Sequence, residues 1–303
     1  MGRTLPEDRA NRPVVVIGAG TLGRRIAMMF ATRGGTVRVC DPSADQRNAA
    51  VDYAAHNLHD TIGELGLGPA GTVEASDDQA AAVRDAWLVV EAVPERLDLK
   101  KKVFAQLDAQ APPDAILASN SSSYASRLFI DDVDQPERVL NTHFYMPPAT
   151  NALDVMSCGR TDPDVIEYVK RVFPDYGLHP FEVRRESTGF IFNRIWAAIK
   201  RESLEVVHEG VSTPQDVDEM FKLNFGTRAG PFRMMDQVGL DVVLDIEEHY
   251  AAENPSLPEG PRRLLREYID KGRLGVKSGA GFYDYDQGGK APDAWGSKER
   301  EGS

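Results

Sequence analysis

The apolar positions fall into two regimes. Up to about residue 187, short β-branched runs alternate with stretches of helical period. Val14-Val15-Val16-Ile17 is apolar without interruption, the pattern of a strand covered on both faces. Gly18-Ala19-Gly20-Thr21-Leu22-Gly23 follows, then a helical pattern over 24–33 that Gly34-Gly35 stops. Residues 36–40 predict a second strand and 43–65 a long helix. Further strands are expected at 87–91, 116–119, 139–143 and 153–156, with helices at 97–109 and 162–173. This alternation predicts a mostly parallel sheet with right-handed crossovers.

Beyond 187 no strand-like run follows. Residues 188–209 place Ile191, Ile195, Trp196, Ile199 and Val206 at helical spacing, with Gly210 as a stop. Thr213-Pro214 reads as an N-cap followed by proline in the first turn. Two more helices are expected at 232–250 and 261–270. The organisation is therefore an α/β domain over 1–187 and an all-helical domain over 188–303. The first dozen residues and the last eighteen, polar and punctuated by Gly and Pro, are expected to fray.

Composition adds mainly exclusions. The chain has 303 residues, is 42% apolar and carries a net charge of −12. Such an acidic chain repels a phosphate backbone or an anionic membrane, so neither nucleic acid nor membrane is expected as a partner. Cys40 and Cys158 are far apart and in no CxxC pairing, which argues against a disulfide scaffold or a cysteine zinc site. His56, His59 and Glu64 share a predicted helix, but a solvated face explains them and no metal is expected. The polar start lacks an apolar signal core, and a cytoplasmic location is expected.

The glycine run carries the chemistry. It sits between a predicted strand and a predicted helix, the context that makes GxGxxG informative. Gly18 permits the tight turn, Gly20 lets a pyrophosphate approach, and Gly23 lets the helix pack close. The helix start at Thr21 and Leu22 presents free N–H groups and a partial positive charge. Asp41 ends the second strand, where a carboxylate binds the adenosine ribose and repels a 2′-phosphate. The expected cofactor is NAD. His143 ends a predicted strand, and a histidine suits the proton-accepting half of an alcohol oxidation. From the residues alone, a satisfied core histidine is an equal alternative.

Taken together, these residues resemble the 3-hydroxyacyl-CoA dehydrogenase family over roughly 14–285. Its other markers here are Glu91-Ala92-Val93-Pro94-Glu95, Ser119-Asn120-Ser121-Ser122, His143-Phe144 and Gly189-Phe190-Ile191-Phe192-Asn193-Arg194. Further on come Gly230-Pro231-Phe232, Asp236-Gln237-Val238-Gly239-Leu240-Asp241, and the run from Gly275 to Tyr283 that includes Lys277. The resemblance implies a Rossmann-type sheet domain followed by a helical dimerisation domain, hence a homodimer. It implies that His143 is the catalytic base and that Ser122 and Asn193 hold the reacting group of a small-molecule substrate. It also implies that Glu95, Lys100 and Lys277 line the cofactor site.

Three departures bear on function. The family's histidine has a glutamate partner twelve residues later, and Val155 stands there. Asp154 replaces it only if the intervening loop is one residue shorter, because neighbouring strand residues face opposite ways. Met146 stands where the family has asparagine. Residues 42–85 contain no lysine, only Arg47 and Arg84 as strong cations, and eight carboxylates; such an arm is a poor clamp for coenzyme A phosphates. The expected activity is NAD-dependent interconversion of a 3-hydroxyacyl group and its 3-oxo form, as CoA thioester or free acid. The alternatives are a dehydrogenase of a specialised non-CoA hydroxy acid with a rewired base, and a catalytically disabled NAD-binding protein.

Overall fold

A computed structural model describes residues 4–285. The chain divides into two compact units after Ile191, slightly beyond the boundary expected at 187. The reason lies in Phe190, which packs with Met156 and Val183 of the sheet unit and so keeps the connecting turn there.

The first unit is one eight-stranded sheet. Its strands are β1 (Val14–Ile17), β2 (Thr36–Cys40), β3 (Thr72–Ser76), β4 (Leu88–Glu91), β5 (Ile116–Ser119), β6 (Val139–Met146), β7 (Thr150–Ser157) and β8 (His179–Val183). They lie in the order β3-β2-β1-β4-β5-β6-β7-β8. β1 to β6 run parallel, β7 folds back antiparallel to β6, and β8 pairs parallel with β7. The helices are α1 (Thr21–Phe30), α2 (Ala44–Leu65), α3 (Gln79–Val83), α4 (Leu97–Gln110) and α5 (Pro163–Val172).

The continuous apolar runs are explained by burial on both faces. Val14 and Val16 of β1 enter a core with α1, α2 and α5, where Phe30 meets Phe144, Phe173 and Tyr176 edge to face. Val15 and Ile17 enter the opposite core with α3 and α4, built around Phe104 and Phe129. α1 begins at Thr21, three residues before the periodic pattern suggested, because the glycine turn leads straight into it. The unexpected elements are β3, α3 and β8. The start of the chain is not frayed where described: Arg9 pairs with Asp175, Arg12 with Asp114, and the Tyr168 hydroxyl donates to the Pro6 carbonyl. The last eighteen residues, also expected to fray, lie outside the described residues.

The second unit contains α6 (Phe192–His208), α7 (Pro214–Phe225), α8 (Pro231–Val238), α9 (Leu240–Glu253) and α10 (Gly260–Ile269). The single helix expected over 232–250 is two, α8 and α9, broken at Gly239. Leu204, Phe232, Met235, Leu240, Val243, Leu264, Leu265 and Phe282 form its core. Two buried carboxylates brace it. Asp218 accepts from the Phe232 and Arg233 amides at 2.7 and 3.0 Å and from the Tyr283 hydroxyl at 2.8 Å. Asp236 accepts from the Phe282 and Tyr283 amides at 2.9 and 3.0 Å and from the Tyr285 hydroxyl at 2.8 Å.

Candidate active site

The carboxyl ends of β1, β2, β4, β5 and β6 share one edge of the sheet, where ligands of such sheets bind. At β1 the loop is as tight as its glycines allow. Gly18 has φ +102°, and a Cβ there would lie 2.5 Å from the Ala92 carbonyl oxygen. A Cβ on Gly23 would lie 1.9 Å from the Gly18 carbonyl oxygen, whereas nothing lies within 4 Å of one on Gly20. Gly20 is thus the open side of a cradle at the start of α1, where Thr21 and Leu22 supply first-turn amides. Asp41 closes it: Oδ2 accepts from the Ala19 amide at 2.9 Å and Oδ1 from the Ser43 amide at 2.8 Å.

Behind the cradle, β4 and β5 end in a buried charge network. Glu91 is fully buried and accepts from Lys100 Nζ at 2.8 and 3.1 Å, from Ser119 Oγ at 2.6 Å and from the Val93 amide at 2.8 Å. Lys100 also reaches Glu95 Oε2 at 3.1 Å. Glu95 accepts from Ser121 Oγ and, at 2.9 Å, from the Ser123 amide. Burial opposes ionisation of Glu95, but those hydrogen bonds and the ammonium outweigh it and hold its carboxyl below the usual range. The network fixes the serine turn whose tip is the exposed Ser122. Lys100 is itself 1% exposed, so its ammonium meets the two glutamates rather than solvent.

His143 lies two residues past the last β5–β6 pair, Ser119 with Asn141. In the β6–β7 register it stands opposite Asp154, while Val155 faces Thr142 and points into the α1 core. His143 Nδ1 is 3.4 Å from Asp154 Oδ2, and the Tyr145 hydroxyl donates to the same oxygen at 2.6 Å. The imidazole stacks on Phe190, centroids 5.0 Å apart at 11°. The Asn120 side chain accepts from the Phe144 amide at 3.0 Å, tying the serine turn to β6.

The sheet unit thus brings together the glycine loop, Asp41, Glu95, Lys100, Ser122, His143 and Asp154. The helical unit holds the other two candidates: Asn193, half-buried in the first turn of α6, and Lys277, whose Nζ donates to Asp241 at 2.5 and 2.6 Å. Sequence reasoning assigned no site role to Glu91, Asn120, Tyr145 or Phe190. For Glu91 a signal existed, a carboxylate ending a buried apolar strand nine residues before a lysine. For Phe190 there was none, since its contact with His143 is long-range. A cavity of about 280 Å³ lined by Arg9, Arg12, Trp87 and Tyr176 lies at the opposite, amino-terminal edge of the sheet and holds none of these groups. Among the described residues no cluster of His, Cys, Asp and Glu suits a metal, and no helix is long and apolar enough to cross a membrane.

The matches to known proteins span both units. Residues 13–187 match the model of the 3-hydroxyacyl-CoA dehydrogenase NAD-binding domain, and residues 189–285 that of the same family's C-terminal domain. The chain is 34% identical over 286 residues to 3-hydroxyadipyl-CoA dehydrogenase of Escherichia coli K12, covering 90% of this chain but 58% of that longer protein. It is 29% identical over 281 residues to 5-formyl-3-hydroxy-2-methylpyridine 4-carboxylate 5-dehydrogenase of Mesorhizobium japonicum, covering 90% and 91% of the two chains. Among solved structures, (S)-3-hydroxybutyryl-CoA dehydrogenase of Ralstonia eutropha superposes with a TM-score of 0.81 at 28% identity, covering 91% of this chain and all of the other.

Proposed function

Since the chain belongs to the 3-hydroxyacyl-CoA dehydrogenase family, an NAD-dependent family of oxidoreductases, we propose that it interconverts a 3-hydroxyacyl group and its 3-oxo form with His143 as the base. The Gly18–Gly23 loop and Asp41 would hold the coenzyme, and bound NAD supplies the hydride acceptor. The observation that carries the reading is the His143–Asp154 pair at 3.4 Å. With Nδ1 facing a carboxylate, Nε2 is left to take the alcohol proton, and Asp154 stabilises the imidazolium that forms. Phe190 holds the ring plane and excludes water from one of its faces. Ser122 and Asn193 would hydrogen-bond the reacting oxygen or its acyl neighbour.

The substrate class follows from the acidic arm. On α2, Asp52, Asp60 and Glu64 are all exposed, and they disfavour the phosphates of coenzyme A. A free hydroxy acid therefore fits better than a thioester. The test is NADH appearance across 3-hydroxybutyryl-CoA, free 3-hydroxy acids and sugar acids, with wild type and His143→Ala. Turnover of a free acid that falls by about 10² to 10⁴ in His143→Ala is expected, the range for losing a general base. Full activity of that variant would move the chemistry to another residue. We further read the protein as a homodimer through the helical unit, and as cytoplasmic, in keeping with two buried free thiols.

A further inference from the structure

Arg24 and Arg25 are neighbours on α1 and reach the same ring. Their guanidinium carbons lie 5.5 and 5.2 Å from the centre of Tyr53 on α2. Arg25 Nη1 donates to the Tyr53 hydroxyl at 2.9 Å and to the Pro147 carbonyl at 3.1 Å. The Nε of each arginine is buried without a hydrogen-bond partner. Among the described residues neither guanidinium has a carboxylate partner, although the chain carries 47 carboxylate side chains against 35 strong cations. The acids of α2 nearby, Asp52, Asp60 and Glu64, are exposed, and none of them pairs with either guanidinium.

Two adjacent, partly desolvated like charges repel, and burying them without a counter-ion is unfavourable. A shared aromatic face offsets part of this. An anion between the two forks would offset the rest, since guanidinium edges match an oxyanion with paired N–H donors. The location suits a substrate. Pro147 is the first residue after β6, four residues from His143, which at about 3.3 Å per strand residue puts it within roughly 13 Å along the strand.

We propose that Arg24, Tyr53 and Arg25 form a subsite for a carboxylate at the far end of an acyl substrate, selecting anionic hydroxy acids by the charge on their tails. The inference rests on the dehydrogenase reading above and deepens its substrate class. The same chemistry would serve a pyrophosphate of the coenzyme, so the test separates the two sources. Glutarate, adipate and suberate, and their dimethyl esters, are titrated calorimetrically into the full-length enzyme–NADH complex, and NADH affinity is measured separately by fluorescence. The best diacid should bind at least about tenfold more tightly than its ester. Arg24→Gln and Arg25→Gln should each weaken it at least about fivefold with NADH affinity within about twofold, and Arg24→Lys should retain part of it. Equal binding of acid and ester, or no effect of either glutamine, overturns the proposal. A matching loss of NADH affinity also overturns it and gives the pair to the coenzyme. Diacid binding that depends on the arginines, with no NADH formed from any hydroxy acid, would uphold the subsite and sink the hydride-transfer reading instead.

Discussion

A carboxylate oxygen shared by two donors holds each less firmly than one with a single partner. Asp154 Oδ2 is such an oxygen, 2.6 Å from the Tyr145 hydroxyl and 3.4 Å from His143. If the pair acts as proposed, Asp154→Asn should lower kcat by at least about 10², because an amide neither fixes the tautomer nor stabilises the imidazolium. Tyr145→Phe should cost less than about tenfold, since it releases the carboxylate to the ring. Near-wild-type turnover of Asp154→Asn would show that the histidine needs no acid partner. At the cofactor end, NAD should bind at least about tenfold more tightly than NADP. Asp41→Ala should narrow that gap, while also loosening the loop whose Ala19 amide it binds. Equal wild-type affinities by fluorescence titration would refute the role of Asp41. The glycine loop and Asp41 were legible because their spacing is local. The partner of His143 was not, because a one-residue change of register exchanges every side chain between faces. Only the pairing of β6 with β7 decides between Asp154 and Val155.

At the scale of elements, legibility followed burial. β1, β4 and β5 are covered on both faces and read as uninterrupted apolar runs. β3, Thr-Val-Glu-Ala-Ser, is a mostly exposed edge strand, and β8 carries a proline at the other edge, so neither has a strand-like pattern. α6 carries a different kind of signal. Lys200 is almost fully buried on it, and desolvation, only partly offset by Glu247, lowers its amine to about 8. The unfolded chain therefore holds this proton up to a higher pH than the folded one does. Between about pH 8 and 10.5 the lysine's contribution to stability rises with pH, and below 8 its full cost is present. Lys200→Met should stabilise the protein at pH 7 by up to about 3 kcal/mol, with the gain shrinking toward pH 10. Urea midpoints of both proteins at pH 7, 8, 9 and 10 would check this, and a gain independent of pH would contradict it.

At the scale of the molecule, the helical unit leaves apolar surface uncovered. Val211, Met220, Leu223 and Phe225 are all exposed, three of them on α7. Exposed apolar patches of this kind mark interaction surfaces, and a second copy of the chain is the partner proposed above. Sedimentation at micromolar concentration should show a dimer, and the double variant Met220→Asp, Leu223→Asp should shift it toward monomer. A wild-type monomer under those conditions would rule the dimer out.

The two braced aspartates of the helical unit also impose an order of events on synthesis. Every donor to Asp236 comes from residues 282–285, and Asp218 completes its set with Tyr283. Until that stretch leaves the ribosome, α8 would have to bury Asp236 with none of its donors, at about 1–3 kcal/mol or more, and Asp218 would lack its hydroxyl donor. The helices can form early, but their assembly waits for the segment made after them. The sheet unit, whose donors all lie upstream, is free to fold first. A stop codon within the helical unit but before 282 would therefore leave a folded sheet unit attached to a helical half that quality control treats as unfinished.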